Sequence, residues 1–300
     1  MGAARDPRPD TRGARLGLRP APRPPRPAEV RRLAVLIDTL PPLGSRLWLY
    51  SNFDCNLACD YCCAESSPRT PARRLPLDVA RRACEELAGL GGREILITGG
   101  EPFLDPDLVE LVDAAVRWAP VTILTNAMVL ARGSRRRMLD ALDPAGVMMQ
   151  VSLDSGTPAL HDRHRGRGSF DRARAGIALL RELGFRVKVA ATVDETDAAE
   201  EAGLHALLDH DGIPATDRLV RRVARIGFAD HGLALTLGNV WPEPALTADG
   251  AWWHPVAITD PAMQVAASPL PLVTVLAVIR ATLDDPDRDR ADALQAFRCT

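Results

Sequence analysis

Residues 47–63 read LWLYSNFDCNLACDYCC, a β-rich run that stops at a loop carrying Cys55, Cys59, Cys62 and Cys63. Behind the loop, LPLDVARRACEELAGLGG (75–92) places Val79, Ala83, Leu87 and Leu90 at helical spacing and supplies Gly91 and Gly92 as a stop. Arg81 with Glu85 and Arg82 with Glu86 are i,i+4 pairs on its polar side. EILIT (94–98) then reads as a second strand. Strand, loop, helix and strand in this order form a parallel βα unit, so the fold class is α/β.

The alternation continues outward. Asp105 reads as the N-cap and Pro106 as the first position of a helix whose apolar stripe is Leu108, Leu111, Val112 and Ala115. VTILTN (121–126) is a third strand, GSRRRMLDAL (133–142) a short helix and VMMQVSLD (147–154) a fourth strand. A Gly/Arg-rich loop leads to a helix from about Asp171, with Ala173, Ile177 and Leu180 on one face and Gly184 as its stop. FRVKVAATV (185–193) is a fifth strand, AAEEAGLHALLDH (198–210) a helix, and a less distinct sixth strand falls near Leu219 to Phe228. About six βα units are too few for an eight-stranded barrel. The expected architecture is a partial, open TIM-type barrel over residues 31–230 with a small irregular C-terminal extension over 231–300. Residues 1–30, rich in Pro and Arg, read as a disordered tail.

Composition narrows the function classes. The net charge of -2 gives no global attraction to nucleic acid or anionic membranes. No apolar run approaches the ~20 residues of a membrane-spanning helix, and the N-terminus lacks the apolar region of a secretory signal. Of the six cysteines, four crowd into residues 55–63, while Cys84 and Cys299 stand alone. A tight cluster reads as metal-binding rather than as a disulfide framework, and a reducing cytoplasm is the expected location. Cys84 falls on the apolar side of its helix as a core residue; Cys299 is given no role.

The C-terminal ends of parallel strands are where chemistry sits in α/β folds, and the cysteine loop lies there. Three close thiolates can hold three irons of a cubane and leave the fourth open to a ligand. A zinc site with Cys63 as fourth ligand is the alternative, although adjacent cysteines reach one metal only with strain; otherwise Cys63 is a small buried neighbour of the cluster.

The spacing of Cys55, Cys59 and Cys62, the aromatic Tyr61 before the third cysteine, and Gly99-Gly100-Glu101-Pro102 at the end of the second strand resemble the radical S-adenosylmethionine (radical SAM) superfamily over residues 45–230. The resemblance implies one 4Fe-4S cluster on Cys55, Cys59 and Cys62. It also implies reductive cleavage of S-adenosylmethionine to a 5'-deoxyadenosyl radical that abstracts hydrogen from a substrate. By the same resemblance Gly99, Gly100 and Glu101 meet the methionine amino group through their backbone, and Tyr61 packs near the adenine. Thr125, of the Thr125-Asn126 pair, is a polar contact or simple turn chemistry. Ser152 and Asp154, on one face of the fourth strand, resemble the ribose and methionine contacts.

Lys188, the one lysine among 37 basic residues, resembles a carboxylate-binding position and is otherwise a sheet-edge residue. The loop His161-Asp162-Arg163-His164-Arg165-Gly166 resembles that of members with a cysteine-rich C-terminal extension, which makes Arg165 a second candidate for binding the carboxylate; otherwise the stretch is a solvated basic loop. Residues 245–256, ALTADGAWWHPV, resemble the entry hairpin of that extension, with Asp249-Gly250 as its turn. The extension's cysteines are missing, so no auxiliary cluster is expected, and Trp252, Trp253 and His254 either line the substrate pocket or are core. Expected partners are an electron donor such as flavodoxin or ferredoxin and a peptide or small-molecule substrate, with no nucleic acid and no membrane. A non-catalytic iron–sulfur or zinc protein for redox sensing or electron transfer is the rival reading.

Overall fold

The computed structural model describes residues 42–194 and 200–285. The tail expected over 1–30 and Cys299 lie outside them. Among the described residues, six strands belong to the βα alternation and lie side by side in one sheet: β1 (Arg46–Tyr50), β2 (Glu94–Thr98), β3 (Val121–Thr125), β4 (Val147–Ser152), β5 (Arg186–Val193) and β6 (Arg218–Arg222). Three short strands follow, β7 (Ala245–Thr247), β8 (Gly250–Trp252) and β9 (Gln264–Ala266). The order is β6-β5-β4-β3-β2-β1-β7-β8-β9, parallel from β6 to β7 and antiparallel in the last two pairings, so the barrel is open. The C-terminal strands thus extend the same sheet at the β1 edge.

Among the described residues there are seven α-helices, six in the connections and one after β9: α1 (Leu77–Gly89), α2 (Leu108–Ala115), α3 (Gly133–Asp140), α4 (Pro158–Arg165), α5 (Ser169–Glu182), α6 (Glu201–His210) and α7 (Leu272–Asp284). Helix α1 buries Ala80, Ala83, Cys84 and Leu87, so Cys84 is core, whereas Leu90 of the expected stripe is 44% exposed. Helix α2 starts later than Asp105. A 3-10 turn over Pro102–Leu104 intervenes, and the Asp105 carboxylate accepts the Asp107 amide at 3.2 Å, holding Pro106 in the turn.

The Gly/Arg-rich loop expected before the fifth strand contains a helix, α4. Its carboxylate Asp162 accepts the Gly168 and Phe170 amides and the Ser169 hydroxyl, capping the start of α5. The sixth strand ends at Arg222, not near Phe228.

Strand alternation gives the sheet two faces. Leu47, Leu49, Ile95, Ile97 and Ile123 are fully buried. Trp48, Tyr50, Thr98, Leu124, Ser152 and Thr192 all line one cavity toward the C-terminal ends of their strands. The N-terminal mouth is polar: Arg46 Nε lies 2.9 Å from Glu94 Oε2, and the Thr122 hydroxyl donates to Glu94 Oε1 at 3.3 Å. Lys188 belongs to this end, with Glu94, Arg46, Asp217 and Arg186 as its charged neighbours and burial depressing its pKa. It sits four residues before Thr192, about 13 Å along the strand. The expectation that it binds the cofactor is therefore corrected.

The hairpin in 245–256 forms, with the turn at Ala248-Asp249 and Gly250 already in β8. Trp252, Trp253 and His254 are buried and line no part of the cavity. Both indole N–H groups are internally bonded, Trp252 to the Thr247 hydroxyl and Trp253 to the Val240 carbonyl. The tryptophans are core, and Pro255 and Val256 reach the cavity instead.

Trp48 joins this extension to the barrel: its indole N–H donates to buried Glu243 Oε2 at 2.7 Å. Trp48→Phe should lower the unfolding free energy by about 2 kcal/mol, as expected for a hydrogen bond to a charged group, measured by urea denaturation. An unchanged midpoint would show that this bond does not hold the extension in place.

Candidate active site

Strand β1 delivers the chain to the cysteine loop, and the turn after β2 is locked against it. The Gly100 amide donates to the Asn52 carbonyl at 3.1 Å and the Glu101 amide to the Asp54 carbonyl at 3.0 Å. The Asn52 side-chain amide donates to the Glu101 carbonyl at 3.0 Å. A Cβ on Gly99 would stand 2.3 Å from Asn52 Oδ1, and one on Gly100 2.2 Å from the Asp54 carbonyl oxygen. The glycines therefore admit the cysteine loop itself, a packing reason the sequence reading did not contain. Both also line the cavity.

Glu101 is fully buried. Its carboxylate accepts the Phe103 amide at 3.2 Å, the Thr125 hydroxyl at 2.8 Å and the Asn126 amide at 2.8 Å. Burial pushes its pKa up to about 7 against these three donors. The side chain braces β2 against the end of β3 and does not reach the cavity wall. Thr125 lines the cavity, but its hydroxyl is bonded to Glu101 and accepts the Ala127 amide.

Cys55, Cys59 and Cys62 line the same cavity. N–H groups are directed at two of the sulfurs: Leu57 N lies 3.4 Å from Cys55 Sγ, Asn126 Nδ2 3.9 Å from the same atom, and Ser66 N 3.4 Å from Cys62 Sγ. Burial raises the Cys55 thiol pKa, and burial opposed by Arg165 raises Cys59 to about 11. Thiols this desolvated ionise readily only against a metal. Convergence on one cavity and N–H donors suited to thiolates both fit an iron–sulfur cluster held by three cysteines. Cys63 is half-buried, lines the cavity, and has Tyr50 and Arg221 beside its thiol.

On the other side of the loop, Asp154 makes a two-pronged ion pair with Arg165, Nε to Oδ2 at 2.6 Å and Nη2 to Oδ1 at 3.2 Å. It also accepts the Tyr61 hydroxyl and, at 3.0 Å, the Thr192 amide. Burial opposes ionisation here, but the Arg165 guanidinium overcomes it and holds the carboxyl below its usual range. His161 supports the pair by accepting the Asp154 amide at 3.1 Å; burial lowers its own pKa to about 4. With four donors on its carboxylate, Asp154 holds Arg165 and Tyr61 in position at the cavity. Tyr61, Arg165 and Ser152 line the cavity. Arg221 and Arg222 also line it, and the sequence reading missed both because a chain whose basic residues are nearly all arginine offered no contrast.

Two outcomes follow from this geometry. Arg165→Ala leaves a buried carboxylate unpaired and should cost about 3–5 kcal/mol at neutral pH. Asp154 has a depressed pKa, so its stabilisation is present above the unfolded value and is lost as pH falls through the folded one. The difference between wild type and variant should accordingly shrink as pH is lowered through about 4, as followed by thermal unfolding across pH. Gly100→Ala should destabilise by about 1–3 kcal/mol, because backbone, not a flexible side chain, opposes the new Cβ; an unchanged Tm would refute the locking of turn against loop.

Residues 50–202, more than half of the chain, match the family model described as the radical SAM superfamily. The AdoMet-dependent heme synthase of Methanosarcina barkeri is 34% identical over 152 residues, covering 49% of this chain and 42% of the relative. The PqqA peptide cyclase of Ruegeria pomeroyi is 38% identical over 133 residues, covering 44% and 35%. The chain thus spans less than half the length of these relatives. Streptococcus suis SuiB bound to S-adenosylmethionine shares the fold, with a TM-score of 0.54 at 20% identity over 70% of this chain and 48% of that one. The cysteine loop, the glycine turn locked against it and the parallel open sheet that presents both all fall within or beside the matched span, and the chain belongs to the radical SAM superfamily.

Proposed function

We propose that this chain is a radical SAM enzyme acting on a peptide, with one 4Fe-4S cluster held by Cys55, Cys59 and Cys62. The observation that carries the reading is the convergence of these three thiols and the Gly99-Gly100 turn on one cavity. When bound, the cluster and S-adenosylmethionine supply reductive cleavage of the cofactor's carbon–sulfur bond and a 5'-deoxyadenosyl radical for hydrogen abstraction.

The chain's own residues do the positioning. Asn126 and the Leu57 and Ser66 amides direct N–H groups at the thiolates. Gly99 and Gly100 expose backbone to the methionine end of the cofactor, and Ser152 and Arg165 offer a hydroxyl and a guanidinium to its polar groups. Tyr50, Pro255 and Val256 form a largely apolar wall that limits water. Asp154 keeps Arg165 and Tyr61 in place.

Peptide as substrate class is supported by the name of the Ruegeria relative; the heme synthase keeps a small molecule as the second reading. The electron would come from a flavodoxin or ferredoxin. A reducing cytoplasm is the location this reading calls for, because an iron–sulfur cluster needs its cysteines outside disulfides. Among the described residues no helix is long and apolar enough to cross a membrane.

The test is anaerobic reconstitution with iron and sulfide, then incubation with S-adenosylmethionine and dithionite. Wild type should form 5'-deoxyadenosine; Cys55→Ala, Cys59→Ala and Cys62→Ala should lose both bound iron and product, and Cys63→Ala should retain its iron. A bound cluster without cleavage would favour the sensor or electron-transfer reading, and tightly bound zinc would overturn the cluster.

A further inference from the structure

The cavity wall is electrically lopsided. It carries three guanidinium groups, Arg165, Arg221 and Arg222, and no aspartate or glutamate. Arg165 is neutralised by its two-pronged pair with Asp154. The two arginines of β6 are not matched in this way. Arg221 uses Nε to donate to the Thr192 hydroxyl at 3.1 Å, which orients the guanidinium, and no carboxylate among the described residues pairs with its remaining N–H groups. Arg222 is the last residue of β6; its Nη2 stands 3.7 Å from Glu201 Oε2, a long pairing, and its Nη1 is buried with no hydrogen-bond partner.

A buried guanidinium N–H without an acceptor costs free energy. Arg221 is the one oriented from the cavity face, beside Thr192, and the group that satisfies its open fork best is a planar carboxylate, which matches guanidinium geometry bidentately. The arginines are also segregated within the cavity. Arg165 comes from the end of α4 and is tied to Asp154 after β4, whereas Arg221 comes from β6 and is tied to Thr192 of β5. Of these two guanidiniums, only Arg165 is paired with a carboxylate of the protein.

We propose that Arg221 forms a carboxylate-binding subsite for the substrate, with Arg222 adding positive charge at the strand end, on the β6 side of the cavity and distinct from the Arg165 side offered to S-adenosylmethionine. The inference rests on the radical SAM enzyme reading and deepens it: the substrate presents a carboxylate, either at a chain terminus or on a side chain. The subsite holds that group beside Cys63, which fixes the substrate's orientation in the cavity.

The experiment uses the reconstituted holoenzyme with S-adenosylmethionine present, at low ionic strength, titrated anaerobically by calorimetry. Hippurate carries a terminal carboxylate next to a peptide bond, hippuramide is its uncharged counterpart, and N-acetylglutamic acid α-amide carries a side-chain carboxylate. At least one carboxylate probe should bind about tenfold or more tighter than hippuramide, the effect of a charged hydrogen-bonded pair. Which carboxylate binds better tells a chain terminus from a side chain. Arg221→Gln should abolish the preference, Arg222→Gln should reduce it, and Arg221→Lys should keep part of it.

Equal binding of charged and uncharged probes by wild type would overturn the proposal without any variant. So would a preference that survives in Arg221→Gln, or a parallel loss of S-adenosylmethionine binding in that variant, which would give the arginine to the cofactor. Absence of 5'-deoxyadenosine formation by wild type is read separately and would count against the enzyme reading instead.

Discussion

The buried carboxylate of Glu101 is the constraint around which the rest of the site is arranged. It sits at the end of β2, yet it takes one donor from its own turn and two from the end of β3, while its backbone is clamped to Asn52 and Asp54 after β1. Three strand ends are thereby fixed relative to one another by a single fully desolvated group. Such a group is stable only while its acceptors are satisfied. The cysteine loop starts from this junction, so its starting position is set by the backbone of three strands rather than by the loop's own sequence.

The second brace works on the far side of the loop. Asp154 at the end of β4 gathers Arg165 from α4, Tyr61 from the cysteine loop and the Thr192 amide from β5. Between them, Glu101 and Asp154, through backbone and carboxylate together, tie the C-terminal ends of five parallel strands to one loop. Beneath this polar layer the sheet is apolar and fully buried at Leu47, Leu49, Ile95, Ile97 and Ile123. The division follows a simple economy: apolar packing stabilises the body of the sheet, and the polar groups needed for chemistry are held at one end by hydrogen bonds among themselves.

Several residues gained a different role once the chain was folded. Glu101, Thr125 and Asp154 were legible as polar groups at strand ends, but a sequence does not say whether such a group faces a ligand or a neighbouring strand. Lys188 was singled out for being the only lysine, and its chemical type was sound for binding a carboxylate. Its distance along β5 was not: counting from Thr192, which reaches the cavity, puts it at the opposite mouth beside Glu94. Arg221 was hidden for the opposite reason, being one arginine among many, in a strand whose apolar pattern was weak. Trp252 and Trp253 have their indole N–H groups bonded within the fold, which makes them a wall of the core.

By itself the sequence determined the α/β class, the order of six strands and the helices between them, and the place of the cysteine loop at the end of the first strand, because hydrophobic period and glycine or proline punctuation are local properties. It also carried the family, since the cysteine spacing and the glycine turn are short motifs. Helix α4 escaped, because a stretch rich in Gly and Arg has no apolar stripe to betray it and its ends are held by Asp162 reaching across to α5. Only the tertiary structure decided which polar side chains face the cavity and which brace it. That assignment depends on register between strands distant in the chain, where one step along a strand moves a side chain about 3.3 Å and turns it to the other face.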